Sequence, residues 1–566
     1  MFSQDWSTSK RQYGIVHEQH VSIPVGAGFS LDAELFRPDA PGRFPVILGA
    51  HPYSQADQTA PMMPVGQGGR RGHIEMGDYN FYVRRGYVQV ALNLRGTGRS
   101  GGVFDHVGPG TIQDLCDAIE WLARQPWSDG NVGMLGLSYF SIVAKRTAAL
   151  APPSLKTVFC PYGVTDMYRD WHYHGGILSH GQFLRWVDKP DNMRVAPQSA
   201  RRQLGDEEYD RRLDRARHDE ELLAVPGFSA ALADPEKGRN AFIIDILLNH
   251  VWGAYFEERA IPLTSDIKVP AYLGSCWGIY GLHLSGDTRS WQQFTGPKKL
   301  TIGPPVYLDR PFYQYQSESL RWFDHWLKGN DTGLLDEPPV HVFIEGSDRW
   351  KSSTSWPLPE TKWEEFFLHE NGLLSEHEPF LNEGHSTFGD SPYAREGLVY
   401  TTSPILEETE VCGPIVLNLH GSTTGTEVLW FASVWEVSSN GDERLLTRGW
   451  LRGSQRRLDL ERSTPWLPYH SHAGREPLVP NKAYEFSIEI RPYGIVLKRG
   501  SKLRLKLRCS DDETPANHLH AIGAGHILSQ ESTRVTVYHD SDHPSSLLLP
   551  ITSGNRLGTF MSGGII

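Results

Sequence analysis

Polar and apolar positions alternate between residues 12 and 36, with Tyr13, Ile15 and His17, then Val21 and Ile23, then Leu31, Ala33 and Leu35 in step. The turn Gly26-Ala27-Gly28 separates two such runs, which predicts an opening antiparallel hairpin. The pattern then changes. Phe44–Ala50 and Gly86–Leu94 are continuous apolar runs, as expected of strands buried on both faces. Between 111 and 127 the apolar residues Ile112, Leu115, Cys116, Ile119, Leu122 and Ala123 recur at helical spacing, with Thr111 as the expected N-cap. Asn131–Ser141 reads as a strand, a sharp turn at Ser138, and a helix running on to Leu150. Thr157–Gly163 is another strand. Strand and helix in strict alternation imply a parallel sheet with helices on both faces.

The rhythm breaks over residues 164–262. Arg201–Glu221 is dense in mixed charge, the mark of a solvated helix, and Asn240–Ala260 is apolar and helical. A helical insertion at this point is where a cap over a site would sit. Sheet strands resume at Lys268–Trp277 and Lys298–Pro305, followed by an amphipathic helix at Ser317–Leu327. From about Trp356 onward, short strands such as Glu427–Val437, Ala483–Ile490 and Lys502–Leu507 stand between Gly, Pro, Ser and Thr turns. The expected division is an α/β domain at 1–163 and 263–355, a helical cap at 164–262, and an all-β sandwich at 356–566.

Composition narrows the function classes. Two or three domains are expected of 566 residues. A net charge of −12 argues against nucleic acid or an anionic membrane surface as partner. No apolar run is long enough to span a membrane, and Met1–Arg11 lacks the core of a signal peptide, so a cytoplasmic location is expected. The five Cys are scattered with no CxxC pair, which gives neither zinc spacing nor a disulfide framework. No metal or cofactor is implied. The glycines of Arg95–Gly102 lack the spacing of a phosphate cradle and read as a tight loop. Aromatic content of 11% suits an apolar, ring-lined cleft and a small-molecule substrate. Oligomeric state is left open.

Candidate chemistry centres on Gly136-Leu137-Ser138-Tyr139. A Ser two residues after Gly, at a strand-to-helix turn, is the arrangement of a nucleophile elbow. The usual pattern has Gly two residues after the Ser, where this chain has Phe140. Several separated segments, taken together, resemble the cocaine esterase and X-Pro dipeptidyl-peptidase family of serine hydrolases. They are His51-Pro52-Tyr53, Leu94–Ser100, Gly136–Tyr139, His174-Gly175-Gly176, Gly303-Pro304, Arg321–Gly329, Glu337–Val340, Trp350, Trp356-Pro357 and Gly500. The likeness runs in order from about residue 15 to the C-terminus. It implies an α/β-hydrolase domain, a helical cap insertion and a C-terminal all-β jelly-roll domain that helps close the site.

The resemblance also implies roles. Ser138 stands at the nucleophile, with Tyr53 and the backbone N–H of Tyr139 as the oxyanion hole. The family's Asp lies in a Gly-Trp-x-Asp pattern, and Cys276-Trp277-Gly278-Ile279 puts Ile279 there. Its His closes Gly-Pro-Trp-x-His, and Gly303-Pro304-Pro305-Val306-Tyr307 puts Tyr307 there. Ile cannot orient a base, and a Tyr with a pKa near 10 is a poor proton acceptor. The expected catalytic set is therefore Ser138, Tyr53 and Tyr139, with His51, Phe140, His174, Trp277, Ile279 and Tyr307 around the substrate. Trp171, Tyr173 and Trp252 are further candidate liners. Three functions follow from this: non-hydrolytic chemistry on a bound carbonyl, a hydrolase with a rebuilt base, or a ligand-binding pseudoenzyme. The base candidates are His51, His174, and His283 with Asp287 or Asp309; Cys276 reads as a buried structural thiol.

Overall fold

The computed structural model describes residues 7–58, 75–195, 199–305, 315–380, 382–511 and 525–554. The opening alternation folds as expected. Strands β1 (Ile15–Pro24) and β2 (Ser30–Pro38) pair antiparallel, with a bulge between Glu18 and Val21. The apolar runs become β3 (Phe44–His51) and β4 (Val88–Asn93), and the elbow strand becomes β5 (Ser128–Leu135). Then come β6 (Leu155–Phe159), the short hairpin β7 (Tyr173–His174) and β8 (Ile177–Leu178), β9 (Ala271–Cys276), β10 (Lys298–Gly303), β11 (Val340–Ile344) and β12 (Arg349–Ser353). The main sheet has the order β1-β2-β4-β3-β5-β6-β9-β10-β11-β12. Its inner strands are parallel and its edges antiparallel.

One feature of this order positions the site. From β3 the chain steps outward to β4, then crosses back to place β5 on the other side of β3. Such a switch point leaves a crevice at the carboxyl ends of the two strands, where ligands bind in open α/β sheets. Here the ends of β3 and β5 deliver Tyr53 and Ser138.

Helix α1 (Pro109–Ala123) joins β4 to β5 and buries Ile112, Leu115, Ala118, Ile119 and Leu122 against the sheet. It starts earlier than the Thr111 cap predicted, because Pro109 fits the first helical turn. Helix α2 (Tyr139–Leu150) follows the elbow. The cap holds α3 (Gly181–Trp186), α4 (Asp206–Arg217) and α5 (Asn240–Leu248) among other short helices. Helices α6 (Leu284–Gln293) and α7 (Gln316–Lys328) complete the first half; Trp322 on α7 donates its indole N–H to the Thr157 hydroxyl at 2.7 Å. Residues Lys362–Ser553 form an eleven-stranded, barrel-like β sheet with no helix longer than one turn among the described residues.

The two halves lock through buried polar contacts. His174 Nδ1 lies 2.9 Å from His526 Nε2, and His526 Nδ1 lies 3.1 Å from the Asp511 carboxylate. Arg289 of α6 bridges Asp170 and Glu489. Gly175, at φ +54°, turns the β7–β8 hairpin so close to the second half that an added Cβ would lie 1.9 Å from the Trp450 carbonyl oxygen.

Two outcomes test this interface. Gly175→Ala should lower stability by about 3 kcal/mol, read as a shift in the urea midpoint, since both the left-handed backbone and the clash oppose it. The acid limb should also report on Asp511. Burial raises that carboxyl, but His526 and Arg448 outweigh burial and hold it at about 2. A carboxyl held low in the folded state stabilises above its ordinary value of 3.8, and the contribution is lost as pH falls from about 4 to 2. Asp511→Asn should remove about 2 kcal/mol of stability at neutral pH and flatten the profile in that window.

Candidate active site

The backbone at Ser138 is strained, with φ 56° and ψ −122°. The strain is held from both sides. Before it, Gly136 N–H bonds to Phe159 O and Leu137 N–H to Glu75 O; after it, Ser138 O accepts the Ile142 N–H and starts α2. Gly136 has no alternative, because a Cβ there would lie 2.1 Å from Phe140 Cβ. Ser138 is half-buried while its neighbours from Val132 to Leu137 and from Tyr139 to Lys145 are buried. Its hydroxyl has no hydrogen-bond partner among the described residues. The Tyr139 N–H, at the first turn of α2, is one of the donors a helix cannot satisfy internally.

The end of β3 brings Tyr53. The Tyr53 main chain is fixed by Asn93 Nδ2, which donates to Tyr53 O at 2.8 Å. Its ring is 6.4 Å from the Tyr139 ring, edge to face, and 6.4 Å from Phe140. His51, fully buried, stacks on Phe140 at 4.8 Å. Four predicted residues, His51, Tyr53, Tyr139 and Phe140, therefore meet beside Ser138.

Three further residues join them. Trp186, the last residue of α3, stacks on Tyr139 at 5.4 Å and 4°, and its Nε1 donates to the Tyr53 hydroxyl at 3.1 Å. The phenol oxygen of Tyr53 accepts this N–H through a lone pair. His106 Nδ1 lies 3.3 Å from the Tyr139 hydroxyl, and His106 Nε2 lies 3.4 Å from His172 Nε2. Both imidazoles are neutral: burial pushes His172 down to about 3, and burial with the neighbouring His172 and Arg259 drives His106 well below its ordinary value. His172 closes a π-helical turn, Tyr168–His172, that presents Trp171 toward His106 at 5.3 Å. Nothing in the local periodicity marks these three residues; only the high aromatic content hinted at such a cage.

Two of the other expected positions, His174 and Trp277, are corrected. His174 faces His526 and stacks on Trp450 at 4.7 Å, so it belongs to the junction between the halves and not to the Ser138 cluster. Trp277 is likewise an interface residue: its N–H goes to Phe343 O at 2.6 Å, and its ring packs against Tyr493 and Trp356. Ile279 is fully buried in the short helical turn after β9, where its carbonyl accepts from His283 N–H. Tyr307 and Asp309 lie outside the described residues. His283 is fully buried and pushed down to about 3 by burial and by Lys145. Asp287, one turn further on α6, is held by the Lys145 ammonium at 2.5 Å. Burial raises its carboxyl to about 7, with Lys145 only partly offsetting it. Cys276 is buried, and burial pushes its thiol to about 12, so it stays protonated. Tyr173 and Trp252 pack around Tyr168 in the cap, at 4.7 and 6.2 Å. Among the described residues no group of His, Cys, Asp or Glu can hold a metal ion, and no helix is long and apolar enough to cross a membrane.

Comparison with known proteins follows the same lines. Residues 27–306 match the family model of X-Pro dipeptidyl-peptidase (S15 family), and residues 332–548 match that of the X-Pro dipeptidyl-peptidase C-terminal non-catalytic domain. Cocaine esterase of Rhodococcus sp. is 24% identical, over 94% of this chain and 98% of its own. A CocE/NonD family hydrolase from Staphylococcus aureus superposes with a TM-score of 0.78 at 24% identity, covering 95% of this chain and 94% of its own. An aminopeptidase from a marine sediment Thaumarchaeota archaeon superposes with a TM-score of 0.74 at 17% identity, covering 98% of this chain and all of its own.

The Lys145–Asp287 pair yields a stability test. Lys145→Met leaves a buried carboxylate alone and should cost about 3–5 kcal/mol by chemical denaturation. Lys145→Met combined with Asp287→Leu should recover most of that loss.

Proposed function

The chain belongs to the X-Pro dipeptidyl-peptidase (S15) family, and from that premise we propose that it is an enzyme acting on an apolar, carbonyl-bearing small molecule by non-hydrolytic chemistry. The substrate carbonyl oxygen lies between the Tyr53 hydroxyl and the Tyr139 N–H. Two fixed donors in a water-poor site stabilise negative charge developing on that oxygen. Trp186 holds Tyr53 in place and strengthens it as a donor through its own N–H.

The observation that carries this reading is the isolation of the Ser138 hydroxyl among the described residues. A Ser hydroxyl without an adjacent base is a weak nucleophile. Ile279 and Tyr307 stand at the positions where the family pattern has its Asp and His. Removing such a triad leaves roughly 10³–10⁴-fold catalysis over water from the oxyanion hole and binding. A polarised carbonyl can still undergo cyclisation, elimination or acyl transfer if the substrate supplies its own nucleophile or acidic C–H. A second reading, a serine ester or amide hydrolase with a rebuilt base, draws on the relatives, which are described as an esterase, a hydrolase and an aminopeptidase. The intact elbow also favours it.

A fluorophosphonate probe separates the two. The proposal expects no covalent labelling of Ser138 and no turnover of p-nitrophenyl esters above a Ser138→Ala control. Stoichiometric labelling at Ser138 would overturn it in favour of the hydrolase. Binding of a neutral aryl ketone, followed by calorimetry, should weaken about tenfold in Tyr53→Phe, as expected for one lost hydrogen bond in a dry site, and less in Ser138→Ala. Trp186→Phe keeps the stack on Tyr139 but removes the N–H, and should weaken ketone binding by an intermediate factor.

A further inference from the structure

Helix α4 carries Arg211, Arg212 and Arg215 along one edge of a cavity of about 410 Å³, between the cap and the β-rich half. Arg475 closes it from the second half. Its floor is apolar, with Tyr173, Leu178, Leu222, Leu247 and Ile527 all buried. Ser138, Tyr53 and Phe140 contribute nothing to its walls. A cavity of this size is in the range that holds a small ligand.

The charges in the cavity do not balance. Arg211 and Arg212 share a single carboxylate, Glu208. Asp219 is the one other acid in the wall, and its carboxylate caps a helix by accepting from Glu221 and Leu222 N–H. Arg215 and Arg475 form no hydrogen bond or ion pair among the described residues. His250, also in the wall, records the resulting field: burial first, and then Arg475, Arg212, Arg215 and the nearby Arg452, push it down to about 3, so it adds no charge. The acids of this region, including Glu220, Glu221, Glu427 and Glu531, gather in an adjoining cleft whose wall Arg475 and Asp219 share, without a hydrogen bond or ion pair to Arg475 among the described residues. Two guanidinium groups without partners above an apolar floor are unexpected in a chain of net charge −12.

We propose that this cavity is a second binding site, separate from the Ser138 crevice, for a small amphipathic anion that places one carboxylate against Arg215 and Arg475 and an apolar body on the Leu222–Leu247 floor. Guanidinium groups match a carboxylate in geometry as well as charge, and the floor accounts for the apolar part. This site does not depend on the chemistry assigned to Ser138.

Titration calorimetry on the full chain tests it, with octanoate, 1-octanol and inorganic phosphate as probes. Octanoate should bind, 1-octanol at least tenfold more weakly, and phosphate without measurable heat. Arg215→Gln combined with Arg475→Gln should weaken octanoate at least tenfold. Both side chains are exposed, and unchanged circular dichroism would show the variant folded. Ala216→Phe, which fills the cavity from α4, is a second variant and should also abolish binding. Tyr53→Phe should leave octanoate affinity unchanged. Failure of octanoate to bind, equal affinity for 1-octanol or phosphate, indifference to both cavity variants, or loss of binding in Tyr53→Phe would each overturn the site.

Discussion

The strained turn at Ser138 is the constraint on which the rest of this structure depends. A non-glycine residue at φ 56° and ψ −122° costs about 1–3 kcal/mol, and persists only where its surroundings over-determine it. Here β5 and α2 are both buried and both anchored, so the chain has no route between them except this one. Phe140 sharpens the requirement. Its backbone is helical, so the turn does not need Gly at that position. Its bulk, however, fills the space that a side chain at residue 136 would use, so the demand for a small residue falls on Gly136. The Phe140 ring then supports His51, and through it the end of β3. The elbow therefore fixes more than a hydroxyl: it holds the ends of β3 and β5 relative to each other, and so the two proposed oxyanion donors.

The cap takes part in the same geometry. Trp186 touches both donors' residues, stacking on Tyr139 and bonding to Tyr53. Because α3 lies in the cap, the hydrogen bond that the Tyr53 hydroxyl accepts comes from the cap. The cap is in turn fastened to the β-rich half by the His174–His526–Asp511 chain and by the hairpin turn at Gly175. Three distant segments of sequence thus converge on one phenol.

Elements set by local pattern were legible in the chain. The apolar runs at β3 and β4 could only be buried strands, and the small-residue requirement at Gly136 marked the elbow. Side chains brought together by long-range packing were not legible. His106, His172 and Trp186 come from a loop, a π-helical turn and a cap helix, and no spacing rule connects them. His174 and Trp277 stood in motifs that matched a family pattern, yet both serve the junction, where packing of β-strands against the first half uses their rings and N–H groups. His283 and Asp287, four residues apart, share one face of a helix and suggested a dyad. Lys145, reaching from α2, claims that carboxylate, a contact that only the tertiary structure supplies.

The distribution of charge bears most directly on mechanism. Beside Ser138 the His106 and His172 imidazoles are kept unprotonated by burial, and the Arg259–Asp105 ion pair acts on His106 and Tyr139 from further out. Other charged side chains are gathered at α4, at the junction between the halves, and in the Lys145–Asp287 pair behind the elbow. A low-polarity crevice magnifies the pull of the two proposed donors on a carbonyl oxygen. Among the described residues, no carboxylate or imidazole hydrogen-bonds the Ser138 hydroxyl to take its proton. Water attack requires both effects, whereas a reaction in which the substrate moves its own proton requires only the first. The proposed site, with strong carbonyl polarisation and weak proton handling, would therefore favour substrates that carry nucleophile and carbonyl in one molecule, so that binding supplies the proximity that a base would otherwise have to make useful.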